Sequence, residues 1–373
     1  MTPAIPAKTT RALRALSFAY FVQATGALSV VGSLNAISRE WGLADAQSVY
    51  LISFFGVTFA FAAPFLQVGF GHLRRRRQVL IGLSLFSAAA LLFAAAPNYS
   101  VLVLSRVLMG LGAGFIGPVL GALGSSLVEP RHQGSAIAIV LLGLSIAGLV
   151  GMPLSAWVAH VWGARALFVA IACAGAATAA LIVAVVPDSS EGEHVELRTV
   201  TSLLSRTETL SAFLVVFFIA AGVYSTYSFI APIVRDTFHA GSSAVSAALV
   251  VLGVAGVAGN LFVTRAARRY SAEAMLTAGL ALLALDLALP QQRRIVEMVP
   301  DRRGTALALT ASFVFCGIGF GSAVAGHVYP VFGFAGVICT SLGFLALSSV
   351  SLIISRASVA RIQVPVAGGS SQS

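Results

Sequence analysis

The chain has 373 residues, of which 58% are hydrophobic and only 10% charged, and its mean hydropathy is +0.94. Soluble domains carry about 25% charged residues, so a fully water-facing surface is excluded and an all-α polytopic membrane protein is expected. The net charge of +10 does not mark a nucleic-acid binder. Alternate-side threading puts every basic residue except Arg39, Arg106, Arg165 and Arg235 on the cytoplasmic side, which is the positive-inside bias of membrane proteins. Cys173, Cys316 and Cys339 stand alone within apolar runs, so neither a disulfide framework nor a thiolate metal site is expected. The chain has one lysine, Lys8, preceded by Ala7. A GxxxxGK[ST] phosphate loop is thereby excluded.

A span needs about 20 apolar residues. The first apolar run, near 13–34, follows Lys8, Arg11 and Arg14. It outlasts a signal peptide and lacks a small-residue cleavage site, so it reads as a retained span with a cytoplasmic N-terminus. Further runs lie near 48–70, 79–96, 101–127, 135–158 and 163–186. Between the second and third stands Gly71-His72-Leu73-Arg74-Arg75-Arg76-Arg77, which predicts a short cytoplasmic hairpin between antiparallel helices. Residues 187–209 carry Asp188, Glu191, Glu193, Glu196, Arg198, Arg206 and Glu208. They predict a cytoplasmic linker (188–209) between an N-terminal half, 1–187, and a C-terminal half, 210–373. Apolar runs resume at 210–234, 242–264, 272–289, 305–327 and 333–355.

The halves read as repeats. Pro130-Arg131-His132-Gln133-Gly134-Ser135-Ala136 recurs as Pro300-Asp301-Arg302-Arg303-Gly304-Thr305-Ala306, and Arg76-Arg77 has a counterpart in Arg268-Arg269. Two six-span halves on a cytoplasmic linker is the plan of major-facilitator transporters. The stretch from Arg269 to Pro300 is shorter than that from Arg77 to Pro130 by about one crossing of ~20 residues. The chain therefore shows eleven apolar segments. Single crossing by 272–289 would put Arg293, Arg294, Arg302 and Arg303 outside, so that segment is expected to be a re-entrant or interfacial helix with both flanks cytoplasmic.

The chain resembles the drug:proton antiporter branch of the major facilitator superfamily, including its arabinose-efflux-permease-like group, a family of twelve spans. Gly71 to Leu80 sits where that family carries Gly-x-x-x-Asp-Arg-x-Gly-Arg-Arg; Arg76, Arg77, Val79 and Leu80 match its end. The acidic position, which the family uses to latch its halves in one state of the cycle, is His72 here. Arg106-Val107-Leu108-Met109-Gly110 matches a fourth-span Arg-x-x-x-Gly signature. Gly148, Gly151 and Pro153 match a degenerate fifth-span antiporter signature.

The resemblance makes Arg106 a participant in proton coupling or anionic substrate contact. The alternative is a side chain that snorkels to the outer interface. Family antiporters commonly carry a proton-taking carboxylate in the first span; this one offers Tyr20, Gln23, Thr25 and Asn35 instead. Asp286 is the one carboxylate inside an apolar run, and reads as a proton carrier or an interfacial residue. Tyr224 and Tyr227, in the Tyr224–Phe229 stretch, read as substrate contacts or as an aromatic belt. Gly110 and Gly114, among the glycines of the fourth span, are expected to pack helices closely, with a role in rocking as the sharper alternative. His72, His160 and His327 read as interfacial, and no two histidines have metal-site spacing. The resemblance implies a monomeric inner-membrane efflux transporter that takes a small organic solute, exchanges it for protons by alternating access and needs no cofactor. A degenerate, non-transporting protein of the same fold is the alternative, favoured by the short second half. A membrane-embedded enzyme is disfavoured, since no His, Asp or Glu cluster sits at membrane depth.

Overall fold

A computed structural model describes residues 6–193, 196–238 and 303–363, with five single positions between 247 and 258. Every regular element among the described residues is helical. Apart from those five positions, the span expected at 242–264 lies outside them, as do the segment at 272–289, Asp286 and the shortened stretch up to Pro300.

Four long helices open the bundle: α1 (Ala7–Trp41), α2 (Asp45–Phe70), α3 (Arg75–Ala95) and α4 (Tyr99–Ser126). They are joined by turns of a few residues, so neighbours run antiparallel. Gly42 ends α1 in the left-handed conformation (φ 63°), its N–H bonded to the Ser38 carbonyl, as a glycine C-cap does. Asn98 starts α4 by accepting from the Val101 N–H. A short 3₁₀ turn leads into α5 (Gln133–Ile146), a π-helical turn (Ala147–Gly151) and α6 (Met152–Val185). Pro153 has no N–H to give the Leu149 carbonyl, and its ring crowds that carbonyl. The wider π turn directly before it absorbs the misfit. The degenerate signature at Gly148–Pro153 is thus a local break in helix geometry.

α6 bends at Gly163 (φ 88°), a backbone conformation open to glycine, and so holds the end of one crossing and the whole of the next. The linker carries the short α7 (Leu197–Leu204). After it come α8 (Thr207–Tyr227), α9 (Ile230–Phe238) and α10 (Arg303–Gln363). α10 bends in the same way at Gly333 (φ 58°). Seven described stretches are long and apolar enough to cross a membrane. Two of them, Pro130–Val185 and Ala308–Ser358, have 56 and 51 residues; at ~20 residues per crossing each holds two. The described part therefore accounts for nine of the eleven expected segments.

Packing follows composition. Phe61, Phe65, Val331, Phe332 and Ile353 are each at least 60% exposed. Apolar surface of that extent fits a hydrocarbon solvent. Inside, glycines set the helix spacing. A Cβ on Gly110 would lie 2.8 Å from the Phe55 carbonyl oxygen, and one on Gly114 would lie 3.1 Å from Ala62 Cβ, so α4 rides directly on α2. α2 also runs along α10: a Cβ on Gly56 would lie 2.5 Å from the Phe315 carbonyl oxygen, and one on Gly319 would lie 2.9 Å from that of Ser53. Phe59 and Phe315 meet across this seam, tilted at 46° with ring centres 4.3 Å apart. The seam joins helices from either side of the linker.

The glycines near Pro153 differ in what they touch. Gly143 presses against the Ser17 carbonyl of α1 and Gly151 against Thr25, whereas nothing lies within 4 Å of a Cβ on Gly148. Gly143→Ala should destabilise the detergent-purified protein by about 1–3 kcal/mol through overpacking. Gly148→Ala should be neutral, or stabilising by up to about 1 kcal/mol through helix propensity. Thermal unfolding midpoints check both; equal midpoints would contradict this packing.

Candidate functional site

Arg106 stands two turns into α4 and is fully buried. Its Nε donates to the Leu51 carbonyl of α2 at 3.1 Å. Nη1 donates to Gly26 at 3.0 Å and Nη2 to Ala27 at 2.8 Å, both carbonyls on α1. Nη1 also meets Met109 Sδ at 3.7 Å, and the guanidinium lies 4.6 Å from the Phe55 ring centre. Within a helix each of those carbonyls has a lone pair to spare, so one planar fork ties three helices without breaking their ladders. No carboxylate pairs with it among the described residues. The side chain is turned into the bundle, which removes the snorkelling alternative.

Near the clamp, α1 carries the remaining polar candidates. Gln23 and Thr25 are buried, and Gln23 Oε1 and Thr25 Oγ1 have no hydrogen-bond partner. Such orphaned oxygens cost about 1–3 kcal/mol each. Thr25 abuts Gly151 at the π turn. Tyr20 of α1 and Tyr224 and Tyr227 of α8 pack on one apolar cluster that spans both sides of the linker. The two α8 rings lie 5.5 Å apart.

The hydroxyls of that α8 stretch have other partners. Ser225 Oγ donates to the Ala221 and Gly321 carbonyls, and Ser228 Oγ bonds Ser322 Oγ at 2.7 Å. They fasten α8 to α10. Phe229 is fully buried and stacks on Tyr329 at 4.6 Å, so it takes no part in an aromatic belt. Trp157 and Trp162 form an exposed aromatic pair, edge-to-face at 5.1 Å.

Sequence reading missed a cluster at the end of the bundle that holds the α1–α2 turn. Arg235 of α9 donates to Asp45 Oδ2 at 2.6 Å and to Asn35 Oδ1 at 3.1 Å. Ser38 Oγ steadies the carboxylate from α1, at 3.3 Å from Oδ1. This lock joins α1 and α2 to a helix beyond the linker. A second ion pair, Arg165 Nε to Glu40 Oε1 at 3.0 Å, stays within the first half. There Glu40 Oε2 also accepts from the Ala164 N–H, capping the helix after Gly163. Arg165 donates on to the Ala94 and Ala96 carbonyls. The visible signal was that Arg165 and Arg235 break the positive-inside pattern.

At the opposite end, the arginine loop grips the linker. Arg74 Nη1 bonds Asp188 Oδ2 at 3.0 Å, Arg75 pairs with Glu193 at 3.5 Å, and Arg77 lies 4.0 Å from Asp188. Arg76 Nη2 donates to the Val183 carbonyl at 2.6 Å. Exposed pairs contribute about 0–1 kcal/mol each, so the backbone matters more. The Arg75 N–H donates to the Ser190 carbonyl at 3.2 Å, and Gly192 lies against the carbonyls of Gly71 and Leu73. Buried Gln78 braces the loop by donating to the same two carbonyls. His72, at the family's acidic position, is exposed. Asp286 lies outside the described residues.

Comparison with known proteins gives concordant results. A Major Facilitator Superfamily model matches residues 16–289. The inner membrane transport protein YdhP of Escherichia coli K12 is 30% identical over 280 residues, 74% of this chain and 72% of YdhP. A chloramphenicol efflux pump of Mycobacterium tuberculosis is 29% identical over 262 residues, 69% of this chain and 63% of the pump. Among solved structures, a peptide transporter POT superposes with a TM-score of 0.67 at 13% identity, covering 95% of this chain and 99% of that one. The human organic anion transporter MFSD10 superposes with a TM-score of 0.64 at 16% identity, covering 94% and 100%. At such identities the structural likeness is one of fold.

The clamp makes a direct prediction. Arg106→Ala removes three charge-assisted bonds and leaves a void, and should lower stability by about 2–4 kcal/mol after the relief of burying a charge. Arg106→Lys should recover less than half, since one ammonium cannot reach carbonyls on two helices in the fork geometry. A wild-type unfolding midpoint for Arg106→Ala would contradict the clamp.

Proposed function

Because this chain belongs to the major facilitator superfamily, we propose that it exports a small uncharged organic solute in exchange for protons, by alternating access. Its place as a multi-pass inner-membrane transporter, rather than an enzyme, follows from the family and its relatives. The N-terminus, the arginine loop and the linker face the cytoplasm in this reading, in keeping with the positive-inside bias. The lock at Arg235 then faces outward. Residues 1–187 and 210–373 act as the two moving halves.

One observation carries the solute class. The α1 candidates Tyr20, Gln23 and Thr25 and the α8 candidates Tyr224 and Tyr227 are all uncharged, and two of the α1 oxygens are buried without partners. A cation would need a compensating carboxylate at membrane depth, and Asp286, the one carboxylate inside an apolar run, is assigned to the proton in this reading. An uncharged aromatic molecule with several polar groups would satisfy the orphaned oxygens and stack on the tyrosines. Chloramphenicol, named for the mycobacterial relative, is such a molecule.

Alternating access is supported by the inter-half lock of Arg235 with Asp45 and Asn35. Opening outward requires it to part, and the glycine-lined seam of α2 on α10 offers a surface on which the halves can rock. Proton exchange is the drug-antiporter branch's mode, and Asp286 is its proposed carrier. Arg106 acts here by positioning α1 rather than by touching the solute.

Flux in proteoliposomes tests the proposal. Chloramphenicol should move against an imposed pH gradient. Asp286→Asn should abolish that movement while leaving solute exchange at equal pH. Tyr224→Ala and Tyr227→Ala should change the ranking of solutes in a panel of neutral aromatics and cationic dyes. Movement of the dyes with none of the neutral compounds would overturn the solute class, and gradient-independent flux would overturn proton coupling.

A further inference from the structure

Beneath the first-half helices, at the end that carries the four arginines, a cavity of about 450 Å³ opens between α1, α3, α4 and α6. Lys8, Thr9 and Arg76 form its polar side, and Leu127, Val183 and Val185 its apolar side. Of the acidic groups of this region, Asp188 pairs with Arg74 and Arg77 through Oδ2, Glu193 with Arg75, and Glu129 with Arg131, while Asp188 Oδ1 has no hydrogen-bond partner. No described carboxylate pairs with Lys8 or Arg76. Arg76 Nε is shielded from water and has no hydrogen-bond partner, although Nη2 of the same group is held on the Val183 carbonyl.

The first turn of α1 adds to this field. It contains Lys8 and Thr9, has no acidic residue, and its N-cap, Pro6, offers no side-chain bond. Among the described residues, nothing compensates the partial positive charge of this helix N-terminus where the cavity lies. The apolar side continues onto the outer face of α6, where Val183 is 55% exposed and Leu181 42%. A site with two cations and a helix start at one end, and lipid-facing aliphatic side chains at the other, matches an amphiphilic anion.

We propose that this cavity binds an anionic phospholipid, its headgroup phosphate held by Lys8, Thr9 and Arg76 and its acyl chain lying along Val183 and Leu181. Basic pockets between spans at the membrane boundary are where such headgroups bind. The occupant would tie the start of α1 to the end of α6, beside the arginine loop and the linker.

Native mass spectrometry and thermal unfolding of the purified full chain test this, in micelles doped with phosphatidylglycerol, with phosphatidylcholine, or with inorganic phosphate alone. One phosphatidylglycerol should remain bound and raise the unfolding midpoint, and neither of the other additions should. Lys8→Gln, at an exposed helix start, should leave the lipid-free midpoint unchanged and weaken phosphatidylglycerol about five-fold, as expected of one cation beside an anionic lipid. Lys8→Gln with Arg76→Gln should weaken it further. Equal retention of phosphatidylcholine, equal protection by inorganic phosphate, or undiminished phosphatidylglycerol binding in the double variant would overturn the proposal.

Discussion

The Arg106 clamp is the interaction on which the first half depends. A bilayer supplies no water to a buried donor, so a guanidinium at membrane depth must find its acceptors in protein. Helices offer few, because their carbonyls are already bonded along the ladder, and only second lone pairs remain. Arg106 takes three of these, from Gly26, Ala27 and Leu51. The bonds hold α1, α2 and α4 at one level, and the small residues around them, Gly110 and Gly114 among these, permit the close approach the bonds require. The same level of α1 carries Gln23 and Thr25. Under the proposed function, clamping the backbone there leaves those two side chains to meet the solute.

The ends of the bundle differ in what they join. Toward the α1–α2 turn, Arg165 and Glu40 bind elements that both precede residues 188–209, whereas Arg235 and Asp45 bind elements on either side of them. Toward the arginine loop, Arg74, Arg75 and Arg77 hold the linker's start against the first half. Each exposed ion pair is weak on its own. Under the proposed alternating access, that weakness suits a contact that must form and part in every cycle, while the glycine-rich seam of α2 on α10 stays in place.

Hydropathy was enough to read the nine described apolar segments, because a bilayer imposes span length directly on the sequence. The turns at Gly163 and Gly333 also fell where the apolar runs paused. Sequence placed Arg106 within a span yet could not choose between coupling and snorkelling, since its partners are main-chain carbonyls that carry no residue signature. The lock of Arg235 with Asp45 was illegible for another reason: the partners are far apart in the chain and meet through packing across the linker. The Gly148–Pro153 signature was visible, but only geometry separates Gly151, pressed on Thr25, from Gly148, which faces open space. Ser225 and Ser228, beside Tyr224 and Tyr227, fasten α8 to α10, a division of roles that depends on helix rotation.

Distances across the locked end test the central claim, that two halves part there, most directly. Spin labels at Ala44 and Val234, measured by double electron–electron resonance in nanodiscs, should give a short distance that matches the locked arrangement and a second, longer population. Arg235→Ala should move the balance toward the longer distance. A single short distance, unchanged by Arg235→Ala, would contradict the account.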